Sequence, residues 1–383
     1  MNRREFLTAS LAGTGVCMLG GGGLLRLRGS TAGGDLWNAA FADQDEELVE
    51  ARYYTKLEHQ DVLCRLCPRE CRVGDRERGY CGVRENRRGV YYTLVYSRLC
   101  AEHVDPIEKK PFFHFHPGTF AYSIATAGCN MNCKYCQNWD ISQVRPEQVR
   151  SVSRTPGECA AKAKESGALS VCYTYSEPTV FYEYMYDTCG KARAAGLKNI
   201  MVSAGFISKE PLADLCGVLD AVKIDLKAFS DSFYKTICRG KRQPVLDAMK
   251  TLRTRGLWME IVYLVVPTLN DSPEEMRQLC RWALGELGPD VPLHLSRFFP
   301  TYLLTNLPPT PVDTLERLHG IAREEGLHYV YIGNVPGHAM ESTYCHACGT
   351  RVIKRSGYNV TIERLAKGGL CQACGTKIPG IWA

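Results

Sequence analysis

Cys129-Asn130-Met131-Asn132-Cys133-Lys134-Tyr135-Cys136 follows directly on an apolar run, residues 122–127, that passes through Thr126-Ala127 into Gly128. The run reads as a buried strand, which places the three thiols in the loop at its C-terminal end. Further apolar runs lie at 169–175, 199–203, 221–226, 260–266, 293–298 and 329–332, with helix-length intervals between them. Thr155-Pro156-Gly157-Glu158 has the form of a capping box with proline at the first helical position, and Ser272-Pro273-Glu274-Glu275 repeats it. Gly196, Gly256 and Gly326 stand where C-terminal caps are expected. Repetition of strand and helix predicts an α/β fold with a parallel sheet, either doubly wound or rolled into a barrel. In both, function belongs at the C-terminal ends of the strands.

The spacing C-x3-C-x2-C carries chemistry. Thiolates ordinarily hold all four irons of a cubane iron–sulfur cluster, so three cysteines leave one iron open. An open position is what a catalytic metal needs. The amino and carboxylate groups of S-adenosylmethionine (SAM) can chelate that iron and bring the sulfonium beside the cluster. A zinc site with a distant fourth ligand, or unrelated buried cysteines, fits a loop after the first strand of an α/β domain poorly.

Other strand ends offer partners. Glu177, in Tyr175-Ser176-Glu177-Pro178-Thr179, can bind an ammonium or cap a helix. Ser203-Ala204-Gly205 lets backbone approach a ligand closely. In Lys223-Ile224-Asp225-Leu226-Lys227 the alternation puts Lys223, Asp225 and Lys227 on one face of a strand. Three charges there are costly unless they face a ligand or form an internal salt bridge. His294 and Arg297 fall on opposite faces of the sixth strand; His294 is expected to line the site, a satisfied core histidine being the other reading.

The chain has 383 residues, enough for one large domain plus small modules. Its 45% hydrophobic and 23% charged residues are ordinary for a globular enzyme, and a net charge of +6 with interleaved signs marks no nucleic-acid surface. The 19 cysteines are the unusual quantity. An odd total in tight clusters reads as thiolate metal sites, not a disulfide framework. The isolated Cys100, Cys159, Cys172, Cys189, Cys216, Cys238 and Cys280 read as small core residues.

Two further clusters flank the core. Cys345-His346-Ala347-Cys348-Gly349 is echoed by Cys371-Gln372-Ala373-Cys374-Gly375, two knuckles 22 residues apart that predict a tetrahedral four-sulfur site of zinc-ribbon type. A redox dithiol is the rival. Cys64, Cys67, Cys71 and Cys81 should also bind metal: zinc as a structural clamp, to which the reading leans, or a second iron–sulfur cluster. At the N-terminus, Asn2-Arg3-Arg4-Glu5-Phe6-Leu7 matches a twin-arginine export signal, followed by a glycine-rich run too short for a membrane span. Residues 46–60 read as a short polar helix.

With Glu108-Lys109-Lys110-Pro111, Gly128 through Trp139, Tyr175 through Thr179, Val266-Pro267-Thr268-Leu269-Asn270-Asp271 and Gly333-Asn334-Val335-Pro336-Gly337, the chain resembles radical SAM enzymes related to pyruvate formate-lyase activating enzyme. The flanking cysteines narrow this to a resemblance to the AmmeMemoRadiSam system radical SAM family over about residues 58–383. Ser176 departs from it, since related sequences usually carry Asn there. The resemblance implies a radical SAM partial (β/α) barrel flanked by two small cysteine-rich metal-binding modules. The expected divisions are a leader and linker at 1–45, an N-terminal module at 46–118, the core at 119–336 and a ribbon-like module at 337–383. It implies Cys129, Cys133 and Cys136 as ligands of a 4Fe-4S cluster, and SAM contacts from Glu177, Asp225, Lys227 and His294.

The expected activity is reductive cleavage of SAM and hydrogen abstraction from a substrate the sequence does not name. An electron donor such as ferredoxin or flavodoxin is implied. Partners would be Memo-like and AMMECR-like proteins, or a glycyl radical enzyme if the chain is an activase. The rivals are a non-catalytic iron–sulfur electron carrier, a nucleic-acid-binding ribbon, and a radical methyltransferase using Cys172 or Cys238. The leader points to the periplasm or cell envelope, with the cytoplasm as alternative and no integral membrane span.

Overall fold

The computed structural model describes residues 48–382; the leader at 1–45 and its twin-arginine pattern lie outside the described residues. Eight strands form one sheet: β1 (Ala101–Pro106), β2 (Phe120–Ala125), β3 (Ser170–Tyr173), β4 (Lys198–Ser203), β5 (Ala221–Asp225), β6 (Trp258–Val265), β7 (Leu293–Arg297) and β8 (Val330–Gly333). They neighbour one another in that order. β2 to β8 are parallel and β1 is antiparallel to β2. Helices α1 (Pro156–Glu165), α2 (Tyr182–Ala194), α3 (Lys209–Leu215), α4 (Arg242–Thr254), α5 (Pro273–Glu286) and α6 (Val312–Glu325) occupy the six crossovers.

The strand order decides between the two architectures. A doubly wound sheet reverses its order midway, and this one does not. With crossovers of the usual right hand, all helices fall on one face and the sheet curls around the other. The result is a partial (β/α) barrel, as the resemblance implied.

Local signals behave as read, with two exceptions. Thr155 and Glu158 form the reciprocal box, Glu158 N–H donating to Thr155 Oγ1 at 3.3 Å and Thr155 N–H to Glu158 Oε2 at 2.8 Å. Ser272 caps only one way: it accepts from Glu275 N at 3.0 Å, while the Glu275 carboxylate accepts instead from Phe229 N at 2.6 Å and Tyr263 OH at 2.8 Å. Over 48–60, the described part of the stretch, the helix expected at 46–60 is not there. Val49–Glu50 pairs with Val90–Thr93 and Tyr54–Lys56 with Val62–Cys64, so the cysteine module takes up the backbone groups a helix would have used. The stretch has no apolar stripe to favour the helix instead.

A curled but open sheet must have its concave face filled. Near the N-terminal ends of the strands, Ile107, Phe112 and Phe115 pack against Ala121, Cys172, Ile200 and Ala221. Glu260 on β6 fixes this plug. It is fully buried and accepts from Phe113 N at 2.9 Å, His114 N at 2.8 Å and Trp258 Nε1 at 3.1 Å, with His294 Nε2 at 2.8 Å.

Each flanking module is tied to the barrel through a buried arginine. Arg84, in the N-terminal module, pairs with Glu183 on α2. Arg355, in the C-terminal module, lies 3.8 Å from Glu108, donates to Phe113 O at 2.7 Å and sits 4.1 Å from the Phe113 ring centroid. No helix among the described residues is long and apolar enough to cross a membrane.

Replacing Glu260 with Ala leaves several buried donors without an acceptor, each costing about 1–3 kcal/mol. Denaturant unfolding of the Glu260→Ala chain should show a loss of about 3–5 kcal/mol; a loss under about 1 kcal/mol would mean that the plug is not held this way.

Candidate functional site

A cavity of about 410 Å³ opens at the C-terminal ends of the strands. Cys129, Cys133 and Cys136 line one wall, and Glu177, Ser203, Asp225 and Lys227 are among the other lining residues. Five expected features of the sequence thus meet in one space of the size that ligand sites ordinarily have.

The cysteine loop is clamped by its backbone. Asn132 N–H donates to Cys238 O and Lys134 N–H to Ile237 O, both at 3.0 Å. Arg69 Nε reaches Asn130 O at 2.6 Å from the N-terminal module. Burial pushes the Cys129 thiol up, and the Glu177 carboxylate and Cys133 add to the push. Deprotonating three thiols beside a carboxylate therefore needs a multivalent cation to bind them. Within 4.8 Å of one another, however, the only set of three or more His, Cys, Asp or Glu donors among the described residues is the one at the C-terminus. The wider spacing at 129–136 suits thiolates on separate irons of a cluster better than ligands of one ion.

Glu177 is buried and takes both of its readings at once. It caps the turn Pro178–Phe181 through Thr179 N at 3.1 Å and Thr179 Oγ1 at 2.7 Å. Ser203 Oγ at 2.6 Å and Ala204 N at 2.9 Å also donate to it, tying β3 to β4. All four donors are neutral, so among the described residues its negative charge has no cation against it. Gly205 continues at φ +69°, a conformation that favours glycine.

The charged face of β5 is present as expected. Lys223 and Lys227 both reach Asp225, Lys227 at 3.1 Å. Burial opposes ionisation of Asp225, and the two ammoniums outweigh it, holding its carboxyl down at about 2. The loop from Val266 to Asp271 serves this strand. Asn270 Nδ2 donates to Lys227 O and Leu264 O, both at 2.9 Å, and its Oδ1 accepts from Val266 N at 2.6 Å.

His294 is not in the cavity wall. It points into the barrel one layer lower, on Glu260, with its ring 5.0 Å from that of Tyr331. Strand alternation fixes only the face; depth decided, and Ser296, two residues on, lines the cavity instead. Arg297 donates to Thr310 O at 2.8 Å.

Several lining residues escaped the sequence reading. Lys109 and Lys110 both pair with Asp105 at 2.7 Å, and Lys110 stands 4.1 Å from the Tyr175 ring centroid. Tyr175 itself adopts φ +64°, a strained value for a bulky residue. Asn334, also in the wall, donates to Ser296 Oγ at 2.9 Å. Tyr358 reaches the cavity from the C-terminal module. The signal for Lys109 and Lys110 was present, two adjacent lysines within a quoted block, but nothing placed Asp105 beside them.

The C-terminal thiols are gathered already. Cys345 and Cys374 Sγ lie 3.7 Å apart, and Cys348 and Cys371 Sγ 3.8 Å. A metal bound at about 2.3 Å by four sulfurs in a tetrahedron sets them about 3.8 Å apart. The two knuckles match in detail: Gly349 N donates to Cys345 O at 2.9 Å and Gly375 N to Cys371 O at 2.8 Å, both glycines at positive φ. This set is able to bind a metal ion.

Comparison with known proteins agrees with the geometry. The model of the Radical SAM superfamily matches residues 123–280. An uncharacterized protein of Methanocaldococcus jannaschii is 46% identical over 330 residues, covering 86% of this chain and 98% of that one. The chain belongs to the radical SAM superfamily. Within it, the Escherichia coli pyruvate formate-lyase 1-activating enzyme is 25% identical over 214 residues, 52% of this chain and 87% of the relative. The pyruvate formate-lyase-activating enzyme of Listeria monocytogenes is 26% identical over 163 residues, 40% of this chain and 64% of the relative. This radical SAM enzyme thus shares its core with activating enzymes and most of its length with the archaeal protein.

The depressed Asp225 carboxyl contributes stability above the unfolded value of 3.8 that is lost as pH falls toward about 2. Asp225→Asn should therefore lower unfolding free energy by about 2 kcal/mol at pH 7, with the gap to the parent chain closing between about pH 4 and 2. Paired denaturant melts across that range test this; a pH-independent gap would contradict it.

Proposed function

We propose that SAM occupies the 410 Å³ cavity with its ammonium against Glu177, beside a 4Fe-4S cluster on Cys129, Cys133 and Cys136. The observation that carries this is the Glu177 carboxylate, buried at the cavity wall with four neutral donors and no cation. A buried charge without a partner is costly, and an arriving ammonium removes that cost. When bound, the cluster and SAM supply a reductive cleavage that releases methionine and a 5′-deoxyadenosyl radical able to take a hydrogen atom from a substrate.

The chain's own residues position and shield. Ser203 and Ala204 hold the Glu177 carboxylate in place, and Asp225 with Lys227 forms the polar side of the cavity at the end of β5. Asn270 steadies Lys227 through its backbone. Lys109, Lys110 and Tyr358 flank the cavity and exclude water once it is filled. The electron comes from a donor such as ferredoxin or flavodoxin.

The substrate belongs, on this reading, to a system that includes Memo-like and AMMECR-like proteins, supported by the sequence resemblance and the paired cysteine modules. A second reading, a glycyl-radical activase, is favoured by the similarity to activating enzymes. Zinc is proposed for Cys345, Cys348, Cys371 and Cys374, supported by sulfur separations of 3.7 and 3.8 Å. Export by the twin-arginine route is proposed from Arg3 and Arg4.

Two measurements check these assignments. Glu177→Gln should weaken SAM binding to the reconstituted protein about 10–100-fold by calorimetry with cluster iron unchanged, since a hydrogen bond to a charged group is worth about 1.5–3 kcal/mol; unchanged affinity would refute the ammonium contact. Elemental analysis should find about one zinc held at the ribbon, lost on Cys371→Ser. Zinc retained by that variant at the parent level would overturn the assignment.

A further inference from the structure

We infer that Cys64, Cys67, Cys71 and Cys81 hold a second 4Fe-4S cluster, one that shares a wall with the cysteine loop at 129–136. The inference does not depend on SAM binding and goes beyond the catalytic reading.

All four thiols line one small cavity between the N-terminal module and the barrel, where Thr179 and Val180 complete the wall. Cys64 and Cys67 are buried, and Cys71 and Cys81 half-buried. The rest of the lining includes Arg84, Tyr91, Gly79 and Asn130. Two buried donors of that lining, Arg84 Nε and Tyr91 OH, have no hydrogen-bond partner. Orphaned donors in a cavity of this kind are rare and call for an acceptor that belongs there. A cluster with four thiolate ligands is anionic and presents several sulfur acceptors to the donors that line the cavity. Gly79 makes room for the Tyr91 hydroxyl: a Cβ there would stand 2.5 Å from Tyr91 Oη. Tyr80 N–H donates to Cys71 Sγ at 3.5 Å, the kind of amide contact that thiolate ligands receive.

The spacing separates a cluster from zinc. A single tetrahedral ion draws its four sulfurs to about 3.8 Å of one another, as the C-terminal knuckles show. Cys64, Cys67, Cys71 and Cys81 do not meet within 4.8 Å, and neither do Cys129, Cys133 and Cys136. The N-terminal set is thus spaced like the cluster site and unlike the ribbon.

The two sites touch. A Cβ on Gly128 would come within 2.9 Å of Cys81 O and 2.5 Å of Val83 Cγ1, so the residue before Cys129 packs directly on the turn that carries Cys81. Cys81 and Cys129 also line a common cleft, and Asn130 belongs to the N-terminal cavity as well as to the catalytic loop. That contact requires glycine at 128, whose φ is +95°.

The deciding experiment uses the full chain with Cys129, Cys133 and Cys136 all changed to Ala, reconstituted anaerobically with iron and sulfide. About four irons and four sulfides should remain per chain, with a cubane electron paramagnetic resonance signal after dithionite, against about eight of each in the parent. Iron-free protein carrying about two zinc ions would overturn the inference. Tyr91→Phe in the same background gives a second readout. Removing a donor to the cluster should lower its midpoint potential while iron content holds. An unchanged potential would overturn the assigned contact.

Discussion

Glu260 is the residue on which the architecture depends most. A sheet of seven parallel strands that curls without closing leaves a concave face to fill, and the lower half of that face is filled by residues 107–116. A single carboxylate on β6 collects two backbone amides of that segment, an indole and an imidazole. The plug then sets everything above it. It carries Lys109 and Lys110 to the rim, receives Arg355 from the C-terminal module, and leaves the upper half of the barrel empty.

The empty half is polar where a packed core would be apolar. Lys223, Asp225, Lys227 and Glu177 converge there, and three thiols, Cys133 buried and Cys129 and Cys136 half-buried, stand opposite. Asp225 satisfies the two lysines, but among the described residues no cation stands against Glu177, and the thiols lie in the same cavity wall. Those are the groups whose burial is most costly in isolation. An iron–sulfur cluster and a ligand bearing an ammonium answer both needs together. This physical demand, the family membership and the cysteine spacing point the same way.

Much of this was legible because it is periodic. The seven parallel strands showed as apolar runs, and the C-x3-C-x2-C loop fell at the end of the first. The knuckles at 345 and 371 announced a tetrahedral site through their repeated Cys-x-x-Cys-Gly. What was missed lacked a period or depended on depth. β1 reads Ala-Glu-His-Val-Asp-Pro, too polar to mark a strand, because it is an edge. Residues 46–60 look helical in composition, yet 49–50 and 54–56 pair as strands, since their partners at 62–64 and 90–93 are supplied by the cysteine module. His294 was assigned the correct face but sits one layer below the cavity. Nothing local distinguished it from Ser296; only the position of Glu260 on the neighbouring strand does.

The claim at the centre of this account is that the three cysteines and the cavity beside them carry out reductive cleavage of SAM. The direct measurement is anaerobic reconstitution followed by dithionite and SAM, with chromatography for 5′-deoxyadenosine and methionine. The parent chain should yield both, and the chain with Cys129, Cys133 and Cys136 changed to Ala should yield neither. A parent protein shown to hold its cluster that releases no 5′-deoxyadenosine would contradict the account and leave an iron–sulfur electron carrier in its place.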